Sequence, residues 1–369
     1  MDNHSFFRNK LLDWHAGHRR PMPWKGEQDP YKIWLSEIIL QQTRVEQGLP
    51  YYEKFVAAYP TVRHLAAAPE DEVLKNWEGL GYYSRARNLH AAAKYITGEL
   101  SGKFPDTYEG LRSLKGVGDY TAAAVASFAY NLPYAVLDGN VYRVLARFSG
   151  IRTPIDTPAA KKSFSALAMQ LLDTARPGAY NQAIMDFGAT HCTPRQPACP
   201  ACPLREHCVA LQTGQVNNLP VKSKAPEKKD RFFAYAVFYH REHTWVRQRG
   251  DKDIWQNLYE FPLLELQALP ADPGELPGLL LRHCFPEGAP PGARVRGISR
   301  PYRQTLTHRV VTAVFCEIDL PGKIEIADFQ KNILENYQRI EHFKLKKILA
   351  LPRIIDWFWQ EKDVTLRFK

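Results

Sequence analysis

Between Pro30 and Gln212 apolar residues recur at helical spacing, broken by short turns that contain glycine and proline. Asp29-Pro30 reads as a helix cap followed by a first-turn proline. Further helical windows fall near 70–78, 84–98, 107–113, 120–130, 140–148, 159–174 and 179–189. The pattern then changes. Thr213–Asp230 is rich in Lys, Asn and Pro, has little to bury and reads as a linker. Past it, F-F-A-Y-A-V-F-Y (232–239) and T-W-V-R-Q-R (244–249) flank a short polar turn and predict a β-hairpin. L-T-H-R-V-V-T-A-V-F-C-E-I (306–318) predicts one long strand or two joined strands, and helical text returns near 328–337 and 344–359. The expectation is an all-α domain over residues 1–212, a linker over 213–230 and a smaller α+β domain over 231–369.

One helix breaks the usual pattern. In W-L-S-E-I-I-L-Q-Q-T (Trp34–Thr43), Glu37 stands three residues from both Trp34 and Leu40, so it shares their apolar face. A glutamate there is costly unless it is neutral, paired or needed. The stretch ends in two glutamines where solvent-facing charges are the norm.

Composition changes this picture in one respect. The chain has 369 residues, a formal net charge of +10 and a pI of about 9.2. A broad basic surface suits an acidic polymer such as nucleic acid, although a merely soluble basic protein remains the plain alternative. No apolar run reaches the roughly 20 residues of a membrane span, and the first ten residues lack the apolar block of a signal peptide. An intracellular, membrane-free protein is therefore expected.

Four of six cysteines, Cys192, Cys199, Cys202 and Cys208, form a C-x6-C-x2-C-x5-C run. Disulfides would need an oxidising compartment that nothing else in the chain suggests. Zinc usually takes two close pairs separated by a longer insert, whereas one tight run suits a 4Fe–4S cluster better. Zinc and packing thiols stay open as lesser readings. Arg195 and Arg205 lie inside or beside this loop and could meet phosphate or face solvent, and Cys284 and Cys316 read as packing residues.

Two further stretches carry chemistry. In L-K-G-V-G-D-Y-T-A (Leu114–Ala122), Gly116 and Gly118 allow a tight turn that exposes backbone N–H groups. Together with the dipole of the next helix these can hold a DNA phosphate without reading sequence, and a simple interhelical turn is the bland alternative. In V-L-D-G-N-V-Y-R-V (Val136–Val144), Asp138 and Asn140 fit a helix N-cap. The same aspartate could be a functional anion held ionised by the dipole and by N–H groups.

The hairpin, the aspartate beyond it and the four-cysteine loop together resemble the helix-hairpin-helix DNA glycosylases of the endonuclease III superfamily. Within it, S-E-I-I-L-Q-Q-T, G-L-G-Y-Y-S-R-A-R-N-L (79–89), L-D-G-N-V-Y-R-V and R-P-M-P-W (20–24) resemble the adenine DNA glycosylase (MutY) family. The resemblance is dense over residues 5–215 and continues thinly through I-W-Q-N-L-Y-E-F-P (254–262). It implies a six-helix barrel with an iron–sulfur module and a C-terminal Nudix-like domain that recognises 8-oxoguanine. The implied substrate is double-stranded DNA carrying adenine opposite 8-oxoguanine or guanine, acted on by a monomer.

The resemblance also implies roles. Glu37 protonates the flipped adenine at N7 and later serves as base toward water, while Asp138 stabilises or covalently traps the oxocarbenium ion. Tyr120 and Asn140 belong to the same catalytic group. Gln42 and Tyr82 are wedge residues, and Thr43 and the Leu80 backbone approach 8-oxoguanine. Arg20, Met22, Trp24 and Gln182 line the adenine pocket.

Three departures bear on the reading. Tyr120 replaces the Schiff-base lysine of bifunctional relatives, which favours a monofunctional glycosylase. Leu306-Thr307-His308 stands where the family has an F-S-H turn, so Thr307 and His308 keep the polar groups without the aromatic. The C-terminal half lacks the acidic box of active Nudix hydrolases, which makes it a recognition module. Two other functions fit less well. A thymine or damaged-pyrimidine glycosylase would generally lack the second half, and a non-catalytic iron–sulfur DNA-binding protein would not need both Glu37 and Asp138.

Overall fold

The computed structural model describes residues 2–223, 227–251, 253–321 and 336–366, with backbone only beyond 361. The chain divides into two compact units, one of residues 1–68 and 87–225, the other of residues 69–86 and 226–369.

The first unit is helical. It contains α1 (Asn3–Ala16), α2 (Pro30–Leu40), α3 (Val45–Ala58), α4 (Val62–Ala67), most of α6 (Ser84–Gly98), α7 (Tyr108–Ser113), α8 (Asp119–Tyr130), α9 (Gly139–Ser149), α10 (Pro158–Leu171), α11 (Pro177–Thr190) and the short α12 (Val209–Gln212). Starts are set by side-chain caps. Asp2 accepts from the His4 and Ser5 N–H groups, Asp29 from Tyr31, Thr157 from Ala160 and Asp138 from Val141. Phe7 and Leu11 of α1 meet Leu145 and Phe148 of α9, Phe164 of α10 and Ile184 and Phe187 of α11 in one core. The α1, α3 and α4 helices escaped the sequence reading. In α1 only Phe6, Phe7 and Leu11 are buried, too narrow a stripe to stand out from the polar text around it. The stretch read as a linker is pinned to this unit for part of its length. Leu219 is buried and its carbonyl accepts from Arg147 Nε at 3.1 Å, Val221 accepts from the Ile155 N–H at 3.0 Å, and Ser223 donates to Asp156 at 2.9 Å.

The second unit is α+β. A five-stranded sheet runs in the order β4 (Leu263–Leu266), β1 (Lys229–Tyr239), β7 (Arg309–Asp319), β5 (Arg294–Ile298), with β6 (Tyr302–Thr305) also on β7. A smaller sheet joins β3 (Tyr259–Glu260), β2 (His243–Gln248) and β8 (Gln338–Glu341). Alternation along β1 divides its two faces. Phe233, Tyr235 and Val237 pack on Leu345 of α14 (His342–Ile348) and on Ile354 and Phe358 of α15 (Arg353–Leu366), while Ala234, Ala236 and Phe238 pack on Leu276 and Leu280 of α13 (Leu276–Cys284). Cys284 and Cys316 lie in the second of these clusters, buried, as packing residues do.

Three expectations are corrected. The β1–β2 turn forms, closed by a bridge between His240 and His243, but the strands do not pair as a hairpin. Both edges of β1 are taken, by β4 antiparallel and by β7 parallel, so β2 turns away into the other sheet. The stretch 306–318 is one strand only from Arg309; before it the Leu306 N–H donates to the Arg309 carbonyl and closes a turn. The window 344–359 is two helices, broken where Pro352 cannot continue the first. The window near 328–337 lies almost wholly outside the described residues.

Residues 69–86, read from sequence as part of the helical domain, group with the second unit for a visible reason. On α5 (Glu70–Asn76), Asp71 accepts from Tyr259 Oη at 2.9 Å and from Gln248 Nε2 at 3.1 Å. Glu78 accepts from the Leu351 N–H at 3.0 Å, and Lys75 donates to the Leu349 carbonyl at 3.0 Å. These acids and this lysine look like ordinary solvent charges in the sequence. Among the described residues no helix is long and apolar enough to cross a membrane.

Candidate active site

A cleft of about 1280 Å³ opens in the helical unit. Its wall includes Glu37, Tyr120, Asp138 and Asn140 together with Arg20, Met22, Trp24, Thr43 and Gln182. These residues come from α2, α8, α11, the start of α9 and the loops on either side of α2, separated by up to most of the unit's sequence. Glu37 is only 6% exposed because α2 is buried on nearly every side, with Trp34, Leu35, Ile38 and Ile39 all in the core. Burial pushes its carboxyl up to about 7, against a hydrogen bond with Tyr120 and with the charge of Asp138 adding to the rise.

Asp138 sits at the start of α9 with a different set of partners. Its carboxylate accepts from the Val141 N–H at 2.7 Å and from Asn140 Nδ2 at 2.8 Å. Burial raises its pKa above that of an ordinary aspartate, against the pull of these donors. Desolvation thus outweighs the cap in setting the direction of the shift. The N–H donors still decide which acid ionises first. Two carboxyls in one cleft do not both carry charge cheaply when desolvated, and the one with two N–H donors is the better anion. Tyr120 is half-buried, and desolvation, with the charge of Glu37 adding to it, keeps its hydroxyl protonated.

Arg143 and Arg147 were not singled out from the sequence, yet they tie this site to the cysteine loop. Arg143 donates to Asn140 Oδ1 at 2.9 Å, to the Gly188 carbonyl at 2.6 Å and to the Cys192 carbonyl at 2.8 Å. Arg147 donates to the Thr193 carbonyl at 2.8 Å and lies 3.4 Å from the Cys192 sulfur. The signal was available: Arg143 and Arg147 follow Asn140 at helical spacing on one face of α9.

The cysteines come together. Cys192, Cys199, Cys202 and Cys208 line one small cavity with Arg147, His191 and Arg205. Among the described residues no three His, Cys, Asp or Glu side chains converge closely enough for a single metal ion.

The glycine turn has the expected geometry. Gly116 adopts φ +81°, and a Cβ there would stand 2.7 Å from that of Asn88, so the position requires glycine. The Val117 N–H donates to the Leu114 carbonyl at 3.0 Å, and Gly118 caps α8.

Gln42 and Tyr82 both hold left-handed backbone, at φ 54° and 49°. Such conformations in residues other than glycine collect at functional sites. Gln42 is exposed at the end of α2. In the second unit, Tyr82 is 48% exposed, Leu80 is buried, and the Thr307 hydroxyl lies 3.4 Å from the Tyr82 phenol. Arg85 supports this loop, with its guanidinium over the rings of Trp77 and Tyr82 and donating to the Gly81 carbonyl at 3.2 Å. Thr307 and His308 are exposed on the turn before β7.

A buried glutamate and a capping aspartate share one cleft, and a glycine turn precedes the helix that carries Tyr120; comparison with known proteins places this arrangement in a family. Residues 35–168 match the HhH-GPD superfamily of base excision DNA repair proteins. The adenine DNA glycosylase of Buchnera aphidicola (from Schizaphis graminum) is 35% identical over 257 residues, 69% of this chain and 74% of that protein. The mouse adenine DNA glycosylase is 42% identical over 226 residues, 58% of this chain and 44% of its own. Among solved structures, a thermostable thymine-DNA glycosylase superposes with a TM-score of 0.53 at 29% identity, over 57% of this chain and 97% of that one. The chain belongs to the adenine DNA glycosylase family, and it is a DNA N-glycosylase of base excision repair.

Proposed function

We propose that this enzyme removes adenine mispaired with 8-oxoguanine or guanine, by hydrolysis and without strand cleavage. The observation that carries the reading is Glu37, buried and with its carboxyl raised to about 7, in the same cleft as an aspartate that has two N–H donors. A pair of acids split in this way is what cleavage of a glycosidic bond requires. Glu37 gives its proton to N7 of the extruded adenine, the C1′–N9 bond breaks, and the bonding electrons leave with the base. Asp138 faces the sugar cation, and water then adds at C1′ as the Glu37 carboxylate takes its proton. Tyr120 cannot form a Schiff base, so the backbone stays intact. Arg20, Met22, Trp24 and Gln182 hold the base, while Asn140 orients Asp138. Gly116 and Gly118 supply backbone N–H groups to a phosphate.

We read residues 231–369 as a Nudix-like recognition domain without hydrolase activity, joined through residues 213–230 to the catalytic domain. Thr307 and His308 on its exposed turn read the oxidised base, Gln42 and Tyr82 fill the gap left by the extruded nucleotide, and Thr43 and the Leu80 backbone contact the partner base. The strained backbone at Gln42 and Tyr82 supports the wedge role. A 4Fe–4S cluster on Cys192, Cys199, Cys202 and Cys208 would hold the 192–208 loop in shape. The four thiols line one cavity, and a single tight run of cysteines suits the cluster better than two separated pairs would. The enzyme acts as an intracellular monomer on duplex DNA.

The likeness to the thymine-DNA glycosylase takes in 97% of that chain but 57% of this one, so a thymine substrate is the second reading to separate. The deciding experiment incubates purified protein with duplexes bearing A:8-oxoguanine, A:G, T:G and matched pairs, then adds alkali to reveal abasic sites. Cleavage only after alkali, and only at adenine, supports the proposal. Abasic sites at thymine, or nicks without alkali, would overturn it.

A further inference from the structure

The loop from Gly17 to Asp29 carries Arg20, Met22 and Trp24, yet none of its residues is fully buried. With no fully buried side chain of its own, the loop depends largely on polar contacts. Glu27 pairs with Lys32 at 3.0 Å, and the Trp24 ring meets the edge of Tyr52 at 5.2 Å. The strongest tie goes to Asp186 on α11. One oxygen of this carboxylate, Oδ2, accepts from Lys25 Nζ at 2.6 Å and lies 3.0 Å from His15 Nε2 of α1. Asp186 is 2% exposed, and Lys25 and His15 are 14% and 12% exposed. A charge so buried persists only when paired. Gln182 stands one helical turn before Asp186, on the same face of α11 and in the same cleft.

We propose that Asp186 is a positioning residue of the base pocket: by gripping Lys25 and His15 it docks the Arg20–Trp24 wall against the helix that carries Gln182. The inference rests on the reading of this cleft as the base pocket. With the wall fixed, an extruded purine has one seat, and its acceptor nitrogen meets the Glu37 proton. With the wall loose, the base enters in several poses. Misplacement by about 1 Å costs roughly 10²-fold in rate. Mere support of the α1–α11 packing is the competing explanation, and it would act on folding and DNA binding alike.

The test compares Asp186→Asn, Lys25→Met, Lys25→Arg and the Asp186→Asn/Lys25→Met double variant of the full chain. Single-turnover base release and mismatch affinity are measured on one duplex, and 2-aminopurine fluorescence at the target position reports the seated base. The proposal expects Asp186→Asn and Lys25→Met each to slow release by roughly 10- to 100-fold. Affinity should stay within about 3-fold, the double variant should be no slower than the slower single, and Lys25→Arg should keep most of the rate. Should Asp186→Asn fail to fold, the two Lys25 variants decide alone, since Lys25 lies on a loop. Full activity in Lys25→Met, additive losses in the double variant, or parallel loss of affinity and release would each overturn it. A wild-type enzyme that releases no adenine sinks the substrate reading instead.

Discussion

Asn140 donates from Nδ2 to Asp138 at 2.8 Å, and its own carbonyl oxygen accepts from Arg143 at 2.9 Å. The amide is thus held so that only its N–H side can face the carboxylate. That orientation favours the Asp138 anion, since a carboxylate accepts what a neutral acid would partly refuse. Asn140→Asp replaces a donor by a second negative group. Base release should fall by roughly 10- to 100-fold, and the acidic limb of its pH profile should move to higher pH. Single-turnover rates across pH 5 to 9 measure both.

The cysteine loop predicts a colour. Protein as purified should be yellow-brown, with broad absorbance near 400 nm if iron–sulfur ligation holds. Cys199→Ser should bleach it and weaken DNA binding, because the loop bonded to Arg143 and Arg147 through Cys192 and Thr193 would lose its shape. A colourless active protein with one zinc per chain would sink the cluster.

Glu37 carries a stability cost with a definite pH dependence. A carboxyl raised by burial binds its proton more tightly in the folded than in the unfolded chain. Its contribution is therefore full below the ordinary carboxylate range and is lost as pH rises toward about 7. Glu37→Gln should accordingly melt higher than wild type at pH 8, by at most about 3 kcal/mol of stability, with the gap closing near pH 5. Thermal melts at the two pH values check the sign.

Thr307 and His308 test the division between chemistry and recognition. 8-Oxoguanine differs from guanine by a C8 carbonyl and an N7–H donor, and one hydrogen bond contributes about 0.5–1.5 kcal/mol net. The double change Thr307→Ala, His308→Ala should erode the preference for adenine opposite oxoguanine by roughly two- to tenfold. Activity opposite guanine should largely remain. Equal losses on both substrates would make the turn structural.

How much of this was legible beforehand follows from the kind of signal each residue gives. Glu37 stood out because a charge on an apolar helix face violates the pattern, and the four cysteines because their spacing has few other uses. Asp138 was visible as a cap, but its raised pKa was not: desolvation depends on what surrounds the carboxyl in three dimensions. The same limit hid Asp186. It shares a helix face with Gln182, yet nothing in the sequence says that Lys25, far away in the chain, will meet it. Asp71 and Glu78 read as solvent charges, and only the fold reveals Tyr259 and the Leu351 N–H as their partners. The mistaken hairpin has a related cause. Alternation marked β1 and β2 as strands, but their pairing was decided by β4 and β7, the latter paired residue for residue from Lys229↔Arg309 to Tyr239↔Asp319.

The central claim is that Glu37 is the acid that makes the base a leaving group, and one rate tests it most directly. Glu37→Gln keeps the shape of the side chain and removes the proton it would donate. On an A:8-oxoguanine duplex under single-turnover conditions, base release should fall by at least roughly 10²–10⁴-fold while affinity for the duplex is kept. Release at a rate near that of wild type would place the acid elsewhere and contradict the account.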